Sequence, residues 1–355
     1  MSRLVGIIPA AGRGVRAYPQ TKTIPKAMLE VDGVPVIRRN VELMRDQLDI
    51  RDIWIVIGHR GEAVSECLGD GAALGVHIHY VTNRRIDLEL SYSLYLAARE
   101  VEGFCCVILG DECYAGSNHR DLLSEPYATA LATCGVIATE HPKHARQNYA
   151  VSLRDGLITG LEEKPRNPSG SLMGTGTYLV HPDLLVRLRA AFEPDPQRGP
   201  RDWTSWLGQL CAEGTGLRPF FLRGRYVNIN SRDDLNRANS LVRELNFAQK
   251  QKSLIFVVNQ VESRAAASAA SFAQRDELDE VIVSSRSPVP GLTAGKIRPV
   301  VVPDPAASVS DLVKAGLAAA RNDILLVVDS DETFAPGDVS KFLVYLTDAD
   351  MVVGT

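Results

Sequence analysis

The segment "PAAGRGVRAYPQTKTIPKAML" (residues 9–29) follows an apolar run, Leu4-Val5-Gly6-Ile7-Ile8. It gathers Gly12, Gly14, Arg13, Arg16 and Lys26 into one stretch broken by Pro19 and Pro25. A loop after the first strand of a parallel sheet lies at the carboxyl edge, where ligands bind. Glycines there let backbone N–H groups come close to an anion, and Arg16 and Lys26 add fixed positive charge. The chemistry this suits is the cradling of a polyphosphate. A bare Gly-x-Gly has a plainer reading, a tight turn with basic residues at the surface. No Gly-Lys-Ser/Thr occurs, so the stretch is not a Walker loop, and Pro25-Lys26 is foreign to dinucleotide binding. Other polar groups stand at the ends of apolar runs: Asp111 in "VILGDECY", Glu163 and Lys164 in "LEEKP", Asn228 and Asn230 in "RYVNINSRDDLNRAN". Read singly, these are a strand cap, a solvated charge cluster and two turn residues.

Such groups need a scaffold. Apolar runs at 4–9, 53–57, 77–81, 105–109, 129–138, 157–162 and 175–180 predict strands, with helix-like stretches between them. In "VPVIRRNVELMRDQL", Ile37, Val41, Met44 and Leu48 recur at helical spacing and make one buried stripe. Residues 91–101 predict another helix. Residues 194–202, "PDPQRGPRD", predict a loop by their prolines and glycine, followed by a helix carrying Trp203 and Trp206. Strand and helix in alternation predict the α/β class: a mostly parallel, Rossmann-type sheet with helices on both faces. The helix-like stretch near 236–252 ends in a polar, basic run. There the chain divides into domains 1–249 and 250–355. The second domain repeats the pattern, with strands at "SLIFVVN", "DEVIVSS" and "ILLVVDSDE" and a helix over 262–275. A further helix, "SDLVKAGLAAARND", has Ser310 as its expected cap. The closing "DADMVVGT" reads as another strand, so this smaller α/β domain is expected to be incomplete.

At 355 residues, two domains are the natural division. A net charge of −4 provides no global positive field, which argues against nucleic acid or an acidic membrane surface as partner. No apolar run reaches the roughly 18 residues of a membrane span. The N-terminus lacks a signal-peptide pattern. The six cysteines, at 67, 105, 106, 113, 134 and 211, form no Cys-x-x-Cys pair. They are expected to be core thiols in a reducing, cytoplasmic compartment rather than zinc ligands.

The longer pattern is far more specific than its parts. Gly12-Arg13-Gly14-Val15-Arg16, Pro19, Thr21, Pro25-Lys26 and Val31-Asp32-Gly33-Val34-Pro35 resemble the signature of sugar-phosphate nucleotidyltransferases. That family condenses a nucleoside triphosphate (NTP) with a phosphorylated sugar or alcohol and releases pyrophosphate. The resemblance extends to about residue 245 and implies a GT-A-like fold. It implies nucleotide contacts from Ala10, Ala11, Gly12, Arg13, Gly14 and Gly110. Arg16 and Lys26 fall to the triphosphate, Asp111 to a magnesium ion and Lys164 to the acceptor phosphate, with Glu163 and Asn228 also counted as substrate-binding. "GTGTYLVHPDLL" is similar to the strand closing the acceptor pocket. Asn228 stands where the family's usual form has a metal-binding aspartate, so Mg2+ is expected on Asp111 and Asn228. "LSYSLYLA" resembles the cytidylyltransferases acting on phosphocholine or inositol phosphate. That likeness places Ser93 by the base and favours CTP over UTP, GTP and dTTP. An acceptor phosphate is already ionised near neutral pH, its second pKa being about 6, so no general base is required.

Residues 253–355 resemble the nucleotide-binding half of inverting glycosyltransferases related to dolichyl-phosphate mannose synthase, with Asp329-Ser330-Asp331 as the implied metal motif. Ser284 and Ser285 stand where that family often has aspartates. Glycosyl transfer through this part, and a non-catalytic nucleotide-binding protein, are the competing readings. The expected partners are an NTP and a phosphorylated small molecule, and a homo-oligomer is left open.

Overall fold

The computed structural model describes residues 4–124, 130–139, 148–166, 171–260, 264–292, 295–330, 334–347, 349 and 351–353. The chain forms two compact units, Met1–Val242 and Arg243–Thr355.

In the first unit, β1 (Val5–Ala10) is followed by a hairpin of β2 (Glu30–Val31) and β3 (Val34–Pro35) and by helix α1 (Val36–Leu48). Next come β4 (Asp52–Ile57), α2 (Glu62–Leu68), β5 (His77–Thr82) and α3 (Glu89–Ala98). The chain continues through β6 (Cys105–Ile108), β7 (Glu112–Ala115), β8 (Ala132–Ala138), β9 (Tyr149–Arg154), β10 (Leu157–Glu163) and β11 (Leu172–Val180). Helices α4 (Pro182–Phe192) and α5 (Trp203–Ala212) and strands β12 (Arg218–Phe221) and β13 (Arg225–Asn228) follow, and helix α6 (Arg232–Gln249) carries the chain from the first unit into the second.

A nine-stranded sheet runs β10-β9-β11-β6-β1-β4-β5, with β8 paired to β11 and β12 to β8. The centre β6-β1-β4-β5 is parallel. Antiparallel β11 joins that centre to β8 and β9. Strand β13 pairs with β7 in a separate two-stranded sheet. Alternation along β1 explains the two cores. Val5 and Ile7 pack with residues of α3, α4 and α5 on one face, and Ile8 and Ala10 with α1 and α2 on the other. The stripe Ile37, Val41, Met44 and Leu48 is buried as expected. Gly6 is required beneath it: a Cβ there would lie 2.6 Å from Met44 Sδ. The expected strand at 175–180 begins earlier, at Leu172, and Thr129 lies outside the described residues. Strands β9, β12 and β13 were not expected.

The second unit is a smaller α/β fold. Its strands β14 (Lys252–Val258), β15 (Glu280–Ser285), β16 (Ile297–Val301) and β17 (Ile324–Asp329) form a parallel sheet in the order β16-β15-β14-β17. Helix α7 (Ala265–Ala273) contributes to the core on one face, and α8 (Val309–Ala319) to that on the other. Helix α9 (Val339–Leu346) follows β17. The cap of α8 is Ser308, not Ser310, because Ser308 forms a reciprocal capping box with Asp311. Residues 351–353 lie outside any strand, with Met351 and Val353 exposed. Asp329 ends β17, while Asp331 lies outside the described residues. Ser284 and Ser285 donate to the carbonyls of Leu312 and Ser287.

Candidate active site

A cleft of about 610 Å³ opens at the carboxyl ends of β1 and β6. The first wall is the loop after β1. Gly14 takes a left-handed backbone, φ 63°, and the Thr21 hydroxyl donates to its carbonyl at 2.7 Å. A Cβ on Gly14 would sit 3.0 Å from Lys26 Cβ, so the glycine admits the lysine. Gly12 differs: a Cβ there would meet nothing within 4 Å, and its φ is not positive. The fold does not require a glycine at 12, and the space over it opens into the cleft. Arg13 and Arg16 are exposed on the cleft and pair with no other described residue. Ala10 and Ala11 line its base.

Pro25 leads into a 3-10 turn, Lys26–Met28, that aims Lys26 at the floor. Lys26 is 9% exposed. Its Nζ donates to Asp111 Oδ2 at 2.5 Å and to Asn230 Oδ1 at 2.8 Å. Asp111 stands between β6 and β7, and its carbonyl accepts from Ile229 N at 3.0 Å. Gly110 brings the end of β6 against β1, donating its N–H to Pro9 O at 3.1 Å. On the opposite wall, Glu163 ends β10 and Lys164 follows it, with Lys164 Nζ 2.6 Å from Glu163 Oε1. Lys164 is itself left-handed, φ 45°, and its N–H donates to Asn148 O at 2.8 Å. Ser93, on α3, completes the far end. Asn83 Nδ2 donates to Ser93 Oγ at 2.9 Å, and Arg85 N–H donates to Asn83 Oδ1 at 2.7 Å. Those two bonds fix the amide and leave the serine hydroxyl hydrogen free to donate.

Twelve of the thirteen expected site residues thus line one cleft: Ala10, Ala11, Gly12, Arg13, Gly14, Arg16, Lys26, Ser93, Gly110, Asp111, Glu163 and Lys164. Asn228, the expected second metal position, does not line it. Asn228 ends β13 opposite Glu112, and its Nδ2 donates to Asn148 Oδ1 at 2.7 Å. The amide that joins Lys26 and Asp111 is Asn230, two residues on, which the sequence offered only as a turn residue. Glu89, at φ 61°, and Asp202 also line the cleft and were not singled out. Asp202 caps α5, accepting from Ser205 N at 2.6 Å, and an aspartate just before an apolar helix was the signal for it.

Beneath the floor, Glu112 is buried. It accepts from Tyr114 and Tyr226 hydroxyls and from Gly176 N. Burial, reinforced by the neighbouring Asp111 charge, pushes its carboxyl up to about 7 against those three donors. Among the described residues no three His, Cys, Asp or Glu side chains cluster as a metal site. The oxygens that converge are one carboxylate, Asp111, and one amide, Asn230. That set fits magnesium, which binds through one or two carboxylates plus substrate phosphates. It does not fit zinc. The cysteines are free; Cys67 is exposed and Cys211 half-buried, contrary to the expected core placement. No helix among the described residues is long and apolar enough to cross a membrane.

Residues 5–244 match the family model described as nucleotidyl transferase. A glucose-1-phosphate thymidylyltransferase of Streptomyces antibioticus is 27% identical over 240 residues, covering 67% of this chain and 66% of that protein. The chain therefore spans about two thirds of the length of such curated relatives. A crystal structure from Bacillus anthracis, described as a glucose-1-phosphate thymidylyltransferase in complex with sucrose, is 26% identical. It superposes with a TM-score of 0.61 over 69% of this chain and 98% of its own. The inositol-1-phosphate CTP transferase of T. maritima shares the fold at 21% identity, TM-score 0.57, over 69% of this chain and 96% of its own. The β14–β17 sheet lies outside the family match. Across residues 5–244, the chain belongs to the nucleotidyl transferase family.

Proposed function

We propose that the first unit joins the nucleoside monophosphate of an NTP to the phosphate of a sugar phosphate or phospho-alcohol, releasing pyrophosphate. The observation that carries this reading is the meeting of Lys26 and Asp111 on the floor of a cleft whose walls hold Arg13, Arg16 and Lys164, with buried Asn230 bonded to Lys26 behind that floor. Two anions must be brought together, and fixed cations offset their repulsion. Arg16, Arg13 and the loop N–H groups hold the outer phosphates, Lys26 lies by the α-phosphate, and Lys164 holds the acceptor phosphate. An acceptor oxygen, already ionised, attacks the α-phosphorus in line. The bond to the bridging oxygen of the β-phosphate breaks, and pyrophosphate leaves with the electron pair. No residue need take a proton. Alignment and charge supply the rate. A magnesium ion held by Asp111 and Asn230 would supply further positive charge at the α-phosphate.

CTP is our reading of the nucleotide. The Ser93 hydroxyl is left to donate, and cytosine presents N3 as an acceptor where uracil and thymine carry an N3–H donor. The names of the thymidylyltransferase relatives favour dTTP instead. The test is a matrix of CTP, UTP, dTTP and GTP against glucose 1-phosphate, inositol 1-phosphate and phosphocholine. Mass spectrometry of the product shows which nucleoside monophosphate has joined which phosphate. A protein that binds NTP yet forms no such product with any pair overturns the reading.

A further inference from the structure

The turn after β13 touches both sides of the cleft within three residues. Asn228 Nδ2 donates to Asn148 Oδ1 at 2.7 Å, Ile229 N donates to Asp111 O at 3.0 Å, and Asn230 Oδ1 accepts from Lys26 Nζ at 2.8 Å. Asn148 in turn holds Lys164: its backbone carbonyl accepts the Lys164 N–H at 2.8 Å. That bond restrains a lysine in a left-handed backbone, φ 45°, a conformation that L-residues other than Asn and Asp avoid. The Asn148 side chain is held from its other end, its Nδ2 lying 3.0 Å from Met173 Sδ, which leaves Oδ1 facing Asn228. One short turn, anchored to β7 in the register Asn228↔Glu112, therefore reaches Lys26 with one amide and the carrier of Lys164 with another.

We infer that Asn228 is a positioning residue: through Asn148 it fixes Lys164, and hence the acceptor phosphate, at a set distance from Lys26 and the NTP. This rests on the reading of the cleft proposed above. In-line attack tolerates little misplacement of the reacting atoms, so the link that sets their spacing bears on both acceptor affinity and rate. A neutral amide suits the task. A carboxylate at 228 would have no hydrogen to donate to Asn148 Oδ1. Asn228 thus acts on the acceptor through protein, whereas a metal ligand at this position would act on magnesium.

The experiment is calorimetry on the full chain with glucose 1-phosphate and, separately, inorganic phosphate and Mg–NTP. The variants are Asn228→Ala, Asn148→Ala and the double variant, with thermal midpoints as the check of folding. Loss of one neutral hydrogen bond is worth about fivefold in affinity. Asn228→Ala and Asn148→Ala should each weaken glucose 1-phosphate binding by that factor, leave Mg–NTP binding within about twofold, and combine without adding. If Asn228→Ala fails to fold, Asn148→Ala carries the test. Unchanged sugar-phosphate binding in either folded variant, or loss of magnesium affinity with sugar-phosphate binding intact, overturns the inference. Pyrophosphate release by the wild type is scored independently. Binding that follows this pattern without turnover sinks the proposed reaction and keeps the positioning role, while turnover with binding unaffected by the variants does the reverse.

Discussion

Lys26→Met should make the cleft bind divalent cations more tightly while nearly abolishing turnover. Lys26 Nζ lies 2.5 Å from Asp111 Oδ2 and 2.8 Å from Asn230 Oδ1, so before NTP arrives the ammonium occupies the oxygens proposed for the metal. A divalent ion entering there would sit about 4 Å from a unit positive charge. The Asp111 side chain is 30% exposed and that of Lys26 10%, so the repulsion is at least about 2 kcal/mol, the value that full water screening would leave. Methionine keeps the length of the side chain and removes the charge, so magnesium affinity without nucleotide should rise at least about thirtyfold. Turnover should fall by about 10²–10³, the usual cost of one preorganised charged donor. Calorimetry with magnesium alone reads the first effect, and steady-state pyrophosphate release reads the second. Circular dichroism checks that the fold survives. Magnesium affinity that stays the same or falls would show that Lys26 does not guard the metal oxygens, and the arrangement proposed for the floor would be wrong.

Gly12→Ala and Gly14→Ala should separate binding from stability. The Gly12 variant should melt with the wild type and bind NTP more weakly, because the added methyl enters open space that the proposed NTP would occupy. The Gly14 variant should lose about 1–2 kcal/mol of stability from its left-handed backbone and shift Lys26 as well. An equal loss of stability in both would remove the case for a phosphate-facing Gly12. His119 is fully buried against Ser117 and Thr177, and burial lowers its imidazole to about 3. Its folded pKa is depressed, so its contribution is present above about pH 6.5 and is lost as pH falls toward 3. Glu112, pushed up to about 7, works in the opposite sense. Its contribution is present below about 4.5 and is lost as pH rises through 7, which flattens the wild-type profile. Relative to wild type, His119→Asn should therefore gain about 3 kcal/mol of unfolding free energy between pH 6.5 and 4.5, read by urea melts. A constant difference across that range would mean that His119 is not held neutral.

The loop and its cations were legible because their chemistry is local. Glycine, arginine and the Pro-Lys element carry their meaning wherever the strand before them ends, and the 3.6-residue spacing from Ile37 to Leu48 marks a buried face without further knowledge. Strand β12 was not legible. It is four residues, "RPFF", with a proline that suits only an edge, and it pairs with β8 alone among the described strands. The alternation of β9, "YAVSLR", is present but short. Choosing between Asn228 and Asn230 required the path of the turn after β13, which neither residue type nor spacing encodes. The three donors that converge on buried Glu112 come from β7, β13 and β11, and only tertiary structure brings them together. Ser308 and Ser310 are both plausible caps by type. The capping box with Asp311 decides between them, and its spacing was readable.

The central claim is that one cleft aligns two phosphates so that the acceptor oxygen displaces pyrophosphate from the NTP. A rapid-quench single turnover with α-labelled NTP, magnesium and glucose 1-phosphate or inositol 1-phosphate tests it most directly. Wild-type protein should form one pyrophosphate for each nucleoside-diphosphate product, and both should vanish together in Lys26→Met. Pyrophosphate without coupled product, or product formed equally well by Lys26→Met, would contradict it.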